Sequence, residues 1–324
     1  MTKGQAGNDA HQRTGENASM TANETANERA NEFEAHRGKL FGIAYRMLGT
    51  VGDAEDAVQD AYLRYASADK LDLRSPEAFL VTVVTRLCLD RIKSAQNQRE
   101  VYVGEWLPEP LMTDTPPEAR DPAERMTDLD SISMAFVLLL QRLSPEERAV
   151  FLLHEVFDYG YTEIAAFLAK SEEACRQLFS RAKKHVAEHR PRIHTTPEEH
   201  QAVLESFMQA VSSGDLAGLM QLMSADVTLT SDGGGKASAA LHPIHGSDPV
   251  ARFVIGLMKR ASAAAGEVSF KVAPINGQLG IIIHYQGQLF NVAMLDVVDR
   301  RIQAVYFMRN PDKLRRVGAP DTHL

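Results

Sequence analysis

Cysteine is almost missing from this chain: 324 residues contain two, Cys88 and Cys175. Each falls on the apolar side of a helical pattern, which suits a reduced core thiol and excludes a disulfide framework or a cysteine-based metal centre. No apolar run is long enough to cross a bilayer, and the start of the chain lacks the apolar core of a secretion signal. A cytoplasmic protein without membrane contact is expected. Residues 1–32 have almost no apolar side chains and repeat the tetrads TANE, TANE and RANE from Thr21 to Glu32. Such a stretch cannot offset its ordering entropy, so a disordered tail is expected. Tryptophan occurs once, as Trp106, and an excess of basic charge is also lacking, the formal net charge being −8.

That global charge hides a strong asymmetry. Residues 170–192 carry a net +4 and residues 84–99 a net +3, whereas residues 105–130 carry a net −6. Two basic helical stretches flank an acidic connector, and local charge is what a phosphate backbone senses. The second stretch lies in Tyr161–Val186, which holds two short helical patterns broken at Ala169-Lys170-Ser171. Ile164, Ala165, Phe167 and Leu168 share one face of the first; Ala174, Cys175, Leu178, Phe179 and Ala182 form the apolar stripe of the second. Ser171 suits an N-cap. The spacing describes a helix-turn-helix, with a helical hairpin bearing a solvated basic face as the alternative. On the outer face, Arg176, Gln177, Ser180 and Arg181 are placed to read bases and Lys183 and Lys184 to hold phosphate.

The remaining pattern divides the chain. Residues 33–99 read as a three- or four-helix unit, with Asp53 opening a helix and Pro76 placed to begin another. Residues 100–128, with five prolines among acidic residues, read as a linker. Residues 129–192 form a second helical unit, in which Ser144-Pro145-Glu146-Glu147 signals a helix start. From 197 to 316 helices precede alternating strands, with Gln286-Gly287 as a hairpin turn, and residues 317–324 are left as a tail. The expected fold class is multidomain: two all-α units, the second with the helix-turn-helix, and a C-terminal α+β domain.

The stretches AEDAVQDAYLRY (Ala54–Tyr65), FLVTVVTRLCLDRIKSA (Phe79–Ala95), LSPEERAVFLLHEVFDYGYTEIA (Leu143–Ala165) and SEEACRQLFSRAKKHV (Ser171–Val186), in this order, resemble RNA polymerase sigma factors of the extracytoplasmic-function type. The C-terminal part resembles a SnoaL-like cone domain. Three further signatures are similar to those of the sigma-factor subgroup that carries such a domain. They are Trp106-Leu107-Pro108-Glu109-Pro110, Asp232-Gly233-Gly234-Gly235-Lys236 and Asn310-Pro311-Asp312-Lys313-Leu314.

The resemblance implies core RNA polymerase and promoter DNA as partners, with no cofactor, no metal and no catalysed reaction. It implies that Asp56, Gln59 and Asp60 meet the polymerase. Lys70, Arg74, Arg86, Arg91, Lys93, Asn97 and Arg99 would serve the minus-ten element, where a flipped base is captured and phosphates are held. Relatives often carry asparagine where this chain has Arg86, which points that residue towards phosphate. Ser171 and the outer face of the following helix would serve the minus-thirty-five element. The three signatures would make regulatory contacts, and a loop tryptophan needs a surface to bury against. The cone fold leaves room for a small-molecule ligand in its pocket. Two other functions stay open on the residues alone: a SnoaL-type enzyme, for which only His242, His245 and Asp248 offer acid–base groups, and a ligand-responsive one-component DNA-binding regulator.

Overall fold

The computed structural model describes residues 6–68, 75–99, 102–113, 132–189, 195–263 and 266–317, the side chains of 6–26, 95–99, His189 and Ser262 excepted. The first unit consists of α1 (Ala6–Leu48), α2 (Val51–Ser67) and α3 (Pro76–Arg99). The sequence predicts a disordered tail to residue 32, but α1 continues back to Ala6 and its described side chains are tied down before Phe33. Arg29 donates to the Ala66 and Ala68 carbonyls at the end of α2 (2.6 and 2.8 Å), and Tyr65 donates to Glu32. A cation at a helix C-terminus is favourable, and extending an anchored helix is far easier than nucleating one.

The second unit holds α4 (Met134–Gln141), α5 (Pro145–Phe151), a π turn over Leu152–Val156, α6 (Tyr161–Leu168) and α7 (Glu172–His189). Ser144 and Glu147 form a reciprocal capping box before Pro145, as the sequence pattern indicates. Between α6 and α7, Ala169 turns left-handed at φ +53° and Ser171 Oγ accepts from the Ala174 amide at 3.2 Å. These two caps make the break. The two units do not stand apart: their buried side chains, from Phe33 to Val186, merge into one apolar cluster.

The C-terminal domain lays α8 (Pro197–Ser213), α9 (Leu216–Leu222) and α10 (Ser247–Ala263) on one face of a curved sheet. Its strands are β1 (Met223–Asp232), β2 (Ile244–His245), β3 (Val268–Ile275), β4 (Gln278–Tyr285), β5 (Gln288–Val298) and β6 (Arg301–Met308). Their order is β2-β1-β6-β5-β4-β3, antiparallel except for β1 beside β6. Gln286 and Gly287 both have positive φ (+52° and +73°), so the expected hairpin turn is of the primed kind. A short helix, α11 (Pro311–Leu314), follows the sheet.

Strand alternation gives this sheet two apolar faces. Ile281, Ala293, Leu295 and Phe307 face the helices, while Ile282, Val292, Met294, Tyr306 and Met308 face the other way. The second face is covered by Leu107 of the linker, Met134 of α4, and Leu314 and Val317 after the sheet. Val317, which the sequence assigns to a tail, is therefore a core residue.

Candidate nucleic-acid interface and linker latch

The residues of α7 expected to meet DNA lie on one uncovered face. Arg176, Gln177, Ser180, Arg181, Lys183 and Lys184 are all exposed, whereas Cys175, Leu178 and Ala182 between them are buried. Arg176 is held by Glu172 at 3.2 Å and stacks on Tyr161, and Arg181 pairs with Glu147 at 3.1 Å. Both guanidiniums are thereby oriented before any ligand arrives.

The minus-ten candidates are placed differently. Lys70 and Arg74 lie outside the described residues, as do the side chains of Asn97 and Arg99. Lys93 is exposed. Arg91 turns back onto α2, donating to Asp60 at 2.9 Å and to the Asp53 carbonyl, with Asp56 at 3.8 Å. Two of the three polymerase-facing candidates are thus shared with a DNA-facing one. Gln59 stays exposed on α2, one turn from Leu63, an uncommonly exposed leucine. Arg86 donates through Nε to the Phe167 carbonyl at 3.0 Å, at the C-terminus of α6. The negative end of that helix favours the cation, so Arg86 ties the first helical unit to the second.

The linker is fixed by an alternating pattern of backbone hydrogen bonds. Leu107 N donates to Asp232 Oδ2 (3.0 Å), Glu109 N to the Gly49 carbonyl (2.8 Å), Leu111 N to Asn276 Oδ1 (3.1 Å) and Thr113 N to the Pro274 carbonyl (3.1 Å). The carbonyls of Leu107, Glu109 and Leu111 accept from Lys313 Nζ, Tyr45 OH and Asn276 N, at 2.6, 2.8 and 2.8 Å. Pro108 and Pro110 occupy the buried positions between, where proline, having no N–H, leaves no donor unsatisfied. The segment alternates its grip between the C-terminal sheet and helix α1. Its Glu109 carboxylate also accepts from Val51 N at 2.8 Å, capping α2 in place of Thr50, whose side chain makes no cap. Burial pushes the Glu109 carboxyl above its usual range despite these donors.

The three signatures meet at one buried carboxylate. Asp232, fully buried, accepts from Tyr102 OH (2.5 Å), from Leu107 N and from Lys313 Nζ (2.8 Å). Lys313 lies 4.3 Å from the Trp106 ring centre, a cation–π contact that further compensates its burial. Trp106 in turn covers Gly49, where φ is +78° and a Cβ would come within 2.6 Å of the indole. Asn310 caps α11 by accepting from Asp312 N, and donates to Tyr102 OH at 2.9 Å. Pro311 takes the first position of that helix, and Leu314 enters the sheet core.

The glycines answer to close approach. A Cβ on Gly234 would lie 2.3 Å from Asn310 Nδ2, one on Gly233 2.2 Å from the Ala237 carbonyl, and one on Gly235 3.2 Å from Val103. Lys236 pairs with Asp312. Arg316, just beyond, reaches Glu55 on α2 at 2.6 Å.

Sequence reasoning missed Asn276, which holds four segments together. Its Nδ2 donates to Tyr45 OH (2.7 Å) and to the Ile132 carbonyl (2.8 Å), while its Oδ1 and N pair with Leu111. The Asn276-Gly277 pair was a readable hairpin-turn signal, but turn chemistry says nothing of where the amide reaches. Tyr45 and Tyr102 were missed for the same reason, since their partners are distant in sequence.

Asp296 sits at the same interface, in a small gap among Met134, Ala135 and Tyr306. Desolvation raises its pKa to about 6. The folded chain then binds this proton more tightly than the unfolded chain, so stability falls as pH rises from about 4 to about 6 and the penalty is complete above that. Asp296→Asn is expected to raise stability by about 1–3 kcal/mol at pH 8, with the gain shrinking to nothing near pH 4. Thermal melts across that range check this, and a gain independent of pH contradicts it.

His242, His245 and Asp248 do not converge. His245 contacts Thr228 at 3.3 Å, Asp248 pairs with Arg252 at 2.8 Å, and none of the three lines the cavity beneath the helices. Among the described residues no group of three His, Cys, Asp or Glu is gathered as a metal site, and no helix is long and apolar enough to cross a membrane.

Comparison with known proteins agrees with this architecture. Residues 33–98 match the family model described as Sigma-70 region 2, and residues 133–186 match Sigma-70, region 4. The chain is 39% identical over 297 residues to the ECF RNA polymerase sigma factor SigJ of Mycobacterium tuberculosis, covering 89% of this chain and 93% of that one. It is 38% identical over 193 residues to the probable ECF sigma factor SigI of the same species, covering 59% of this chain and 65% of the relative. A crystal structure of Mycobacterium tuberculosis SigJ superposes with a TM-score of 0.70 at 37% identity, covering 90% of this chain and 99% of that one. With both sigma-factor regions in order and a relative matched over nearly its full length, the chain belongs to the extracytoplasmic-function family of RNA polymerase sigma factors, which direct promoter-specific transcription initiation.

Proposed function

We propose that the structure is a closed, promoter-incompetent form of the sigma factor, held shut in cis by its C-terminal domain. The observation that carries this reading is the linker, bonded at alternate residues to the sheet and to α1 while the two helical units share one apolar core. Promoter elements centred about 25 base pairs apart lie about 85 Å apart along B-DNA, at 3.4 Å per step. Units that share a core cannot reach both. The α7 face is free in this form, so what the latch denies is simultaneous reading of the two elements rather than access to either alone. The polymerase-facing residues Asp56, Gln59 and Asp60, the minus-ten residues of α3 and the minus-thirty-five residues of α7 then act together only after Arg86 leaves Phe167 and the linker leaves Asp232.

A disulfide between Met112→Cys and Ile275→Cys tests this, because those residues face each other across an antiparallel bridge between linker and sheet and both native cysteines are buried. With core polymerase and a responsive promoter, the oxidised form is expected to give no transcript and the reduced form to regain it. Equal transcription from both would sink the proposal. The apolar cavity under the helices of the C-terminal domain supports a second element of this reading, a small-molecule ligand for that domain.

A further inference from the structure

The concave side of the sheet and helices α8 and α10 line a recess that is open at its mouth and holds a cavity of about 40 Å³. Its walls are mostly apolar, among them Phe207, Val254, Met258, Ile281 and Phe307, and among the described residues no charged side chain lines it. Two lining residues carry a polar group, Tyr285 and Asn291. Asn291 of β5 points to the same side as Ala293 and is 1% exposed, yet neither its Oδ1 nor its Nδ2 has a hydrogen-bond partner among the described residues. A buried amide with both ends open is costly, and the register pairs it with Ile283, which offers it nothing polar. A leucine would fit this wall better if the cavity served only as core. Water fills the apolar part of the wall poorly, because a buried water needs two to four polar partners and the polar side chains lining it are Asn291 and Tyr285.

We propose that this cavity binds an uncharged, largely apolar small molecule carrying a carboxamide or lactam group, and that Asn291 recognises that group. The proposal rests on reading the cavity as a ligand pocket and adds the ligand's chemical class. A donor and an acceptor stand side by side on Asn291, and an amide presents the complementary pair. An ionised ligand would lose its hydration against walls that carry no counter-charge. The site also has a physical route to the linker. Phe290, at one wall, lies under the Arg309 guanidinium at 4.0 Å. Arg309 donates its backbone N–H to the Asp232 carbonyl at 2.7 Å and a guanidinium N–H to Ser238. A ligand that shifts Phe290 therefore pushes on the loop that holds the linker.

Benzamide and isopropylbenzene, which have the same number of heavy atoms but differ in the amide, test the assignment on the full chain by ligand-observed NMR. Benzamide is expected to bind the native chain and to bind Asn291→Leu at least tenfold more weakly, a loss of about 1.4 kcal/mol. Isopropylbenzene is expected to bind Asn291→Leu at least as well as the native chain. An unchanged or higher melting temperature for Asn291→Leu verifies that the variant is folded. No benzamide binding to the native chain, equal benzamide affinity for both chains, or a crystal soaked in benzamide that shows only water at Asn291 would each overturn the proposal. These outcomes are read from binding, so they stand apart from any result on transcription.

Discussion

Asp232→Ala is expected to free the linker and raise transcription by the full chain while lowering its melting temperature. The substitution leaves Lys313 buried with its counter-charge gone, and leaves Leu107 N and Tyr102 OH without their acceptor. Removing one partner of a buried ion pair costs about 3–5 kcal/mol, far more than the surface pair Lys236–Asp312 could contribute. That cost falls on the closed form alone, because in the open form Lys313 and the linker amides return to water. The equilibrium between the two forms therefore shifts by a factor of about a hundred to a few thousand, at about 1.4 kcal/mol per tenfold. Adding Lys313→Met removes the stranded charge and is expected to restore a large part of the lost stability, since the methionine stem can keep its place beneath Trp106. Melting curves and multi-round transcription of the single and double variants check this. Equal destabilisation in both would show that the ion pair is not what holds the linker.

Asn276 gives the second large effect, and two substitutions divide its two roles. At φ +51° the residue occupies a left-handed turn position that alanine adopts only at a cost, whereas glycine adopts it freely. Asn276→Gly keeps the turn but strands the Leu111 amide and the Ile132 carbonyl and leaves Tyr45 OH with its bond to Glu109 alone; Asn276→Ala loses both turn and contacts. Glycine is expected to destabilise the closed chain by about 2–4 kcal/mol through the orphaned groups, and alanine by about 1 kcal/mol more. Because Asn276 joins the sheet to α1, the linker and the segment before α4, both variants are expected to open the chain as well as soften it. Protease sensitivity of the linker, compared with that of the isolated melting transition, separates the two consequences. A glycine variant as stable and as closed as the native chain would contradict the role assigned to the amide.

Much of this architecture was legible because it rests on local chemistry. The capping box at Ser144–Glu147, the break at Ala169 and the turn at Gln286-Gly287 are set by residues within a few positions of each other. The two basic stretches and the acidic connector also appear as soon as charge is placed along the chain. The signatures at 106–110, 232–236 and 310–314 could be marked as contact segments by resemblance, but not what they contact. Tyr45 and Asn276 are 231 positions apart, and nothing in either neighbourhood announces the other. The ordered start of α1 was hidden for a related reason. A polar stretch looks unable to fold until Arg29 and Glu32 are seen to close the end of α2, a contact made across more than thirty residues. Asn291 was invisible in sequence, since a single amide in a strand acquires meaning only when its surroundings are found to be apolar.

The most direct test of the closed form is the distance between the two helical units. Spin labels at Gly38→Cys on α1 and Glu188→Cys on α7 occupy exposed positions, and the native cysteines are buried away from the reagent. Pulsed electron–electron resonance on the free chain is expected to give a single short distance, within about the 30 Å span of a small domain. On adding core polymerase and promoter DNA the distance is expected to lengthen by tens of ångströms, towards the separation of the two promoter elements. A transcribing complex in which the two labels keep their free-chain distance would contradict the account.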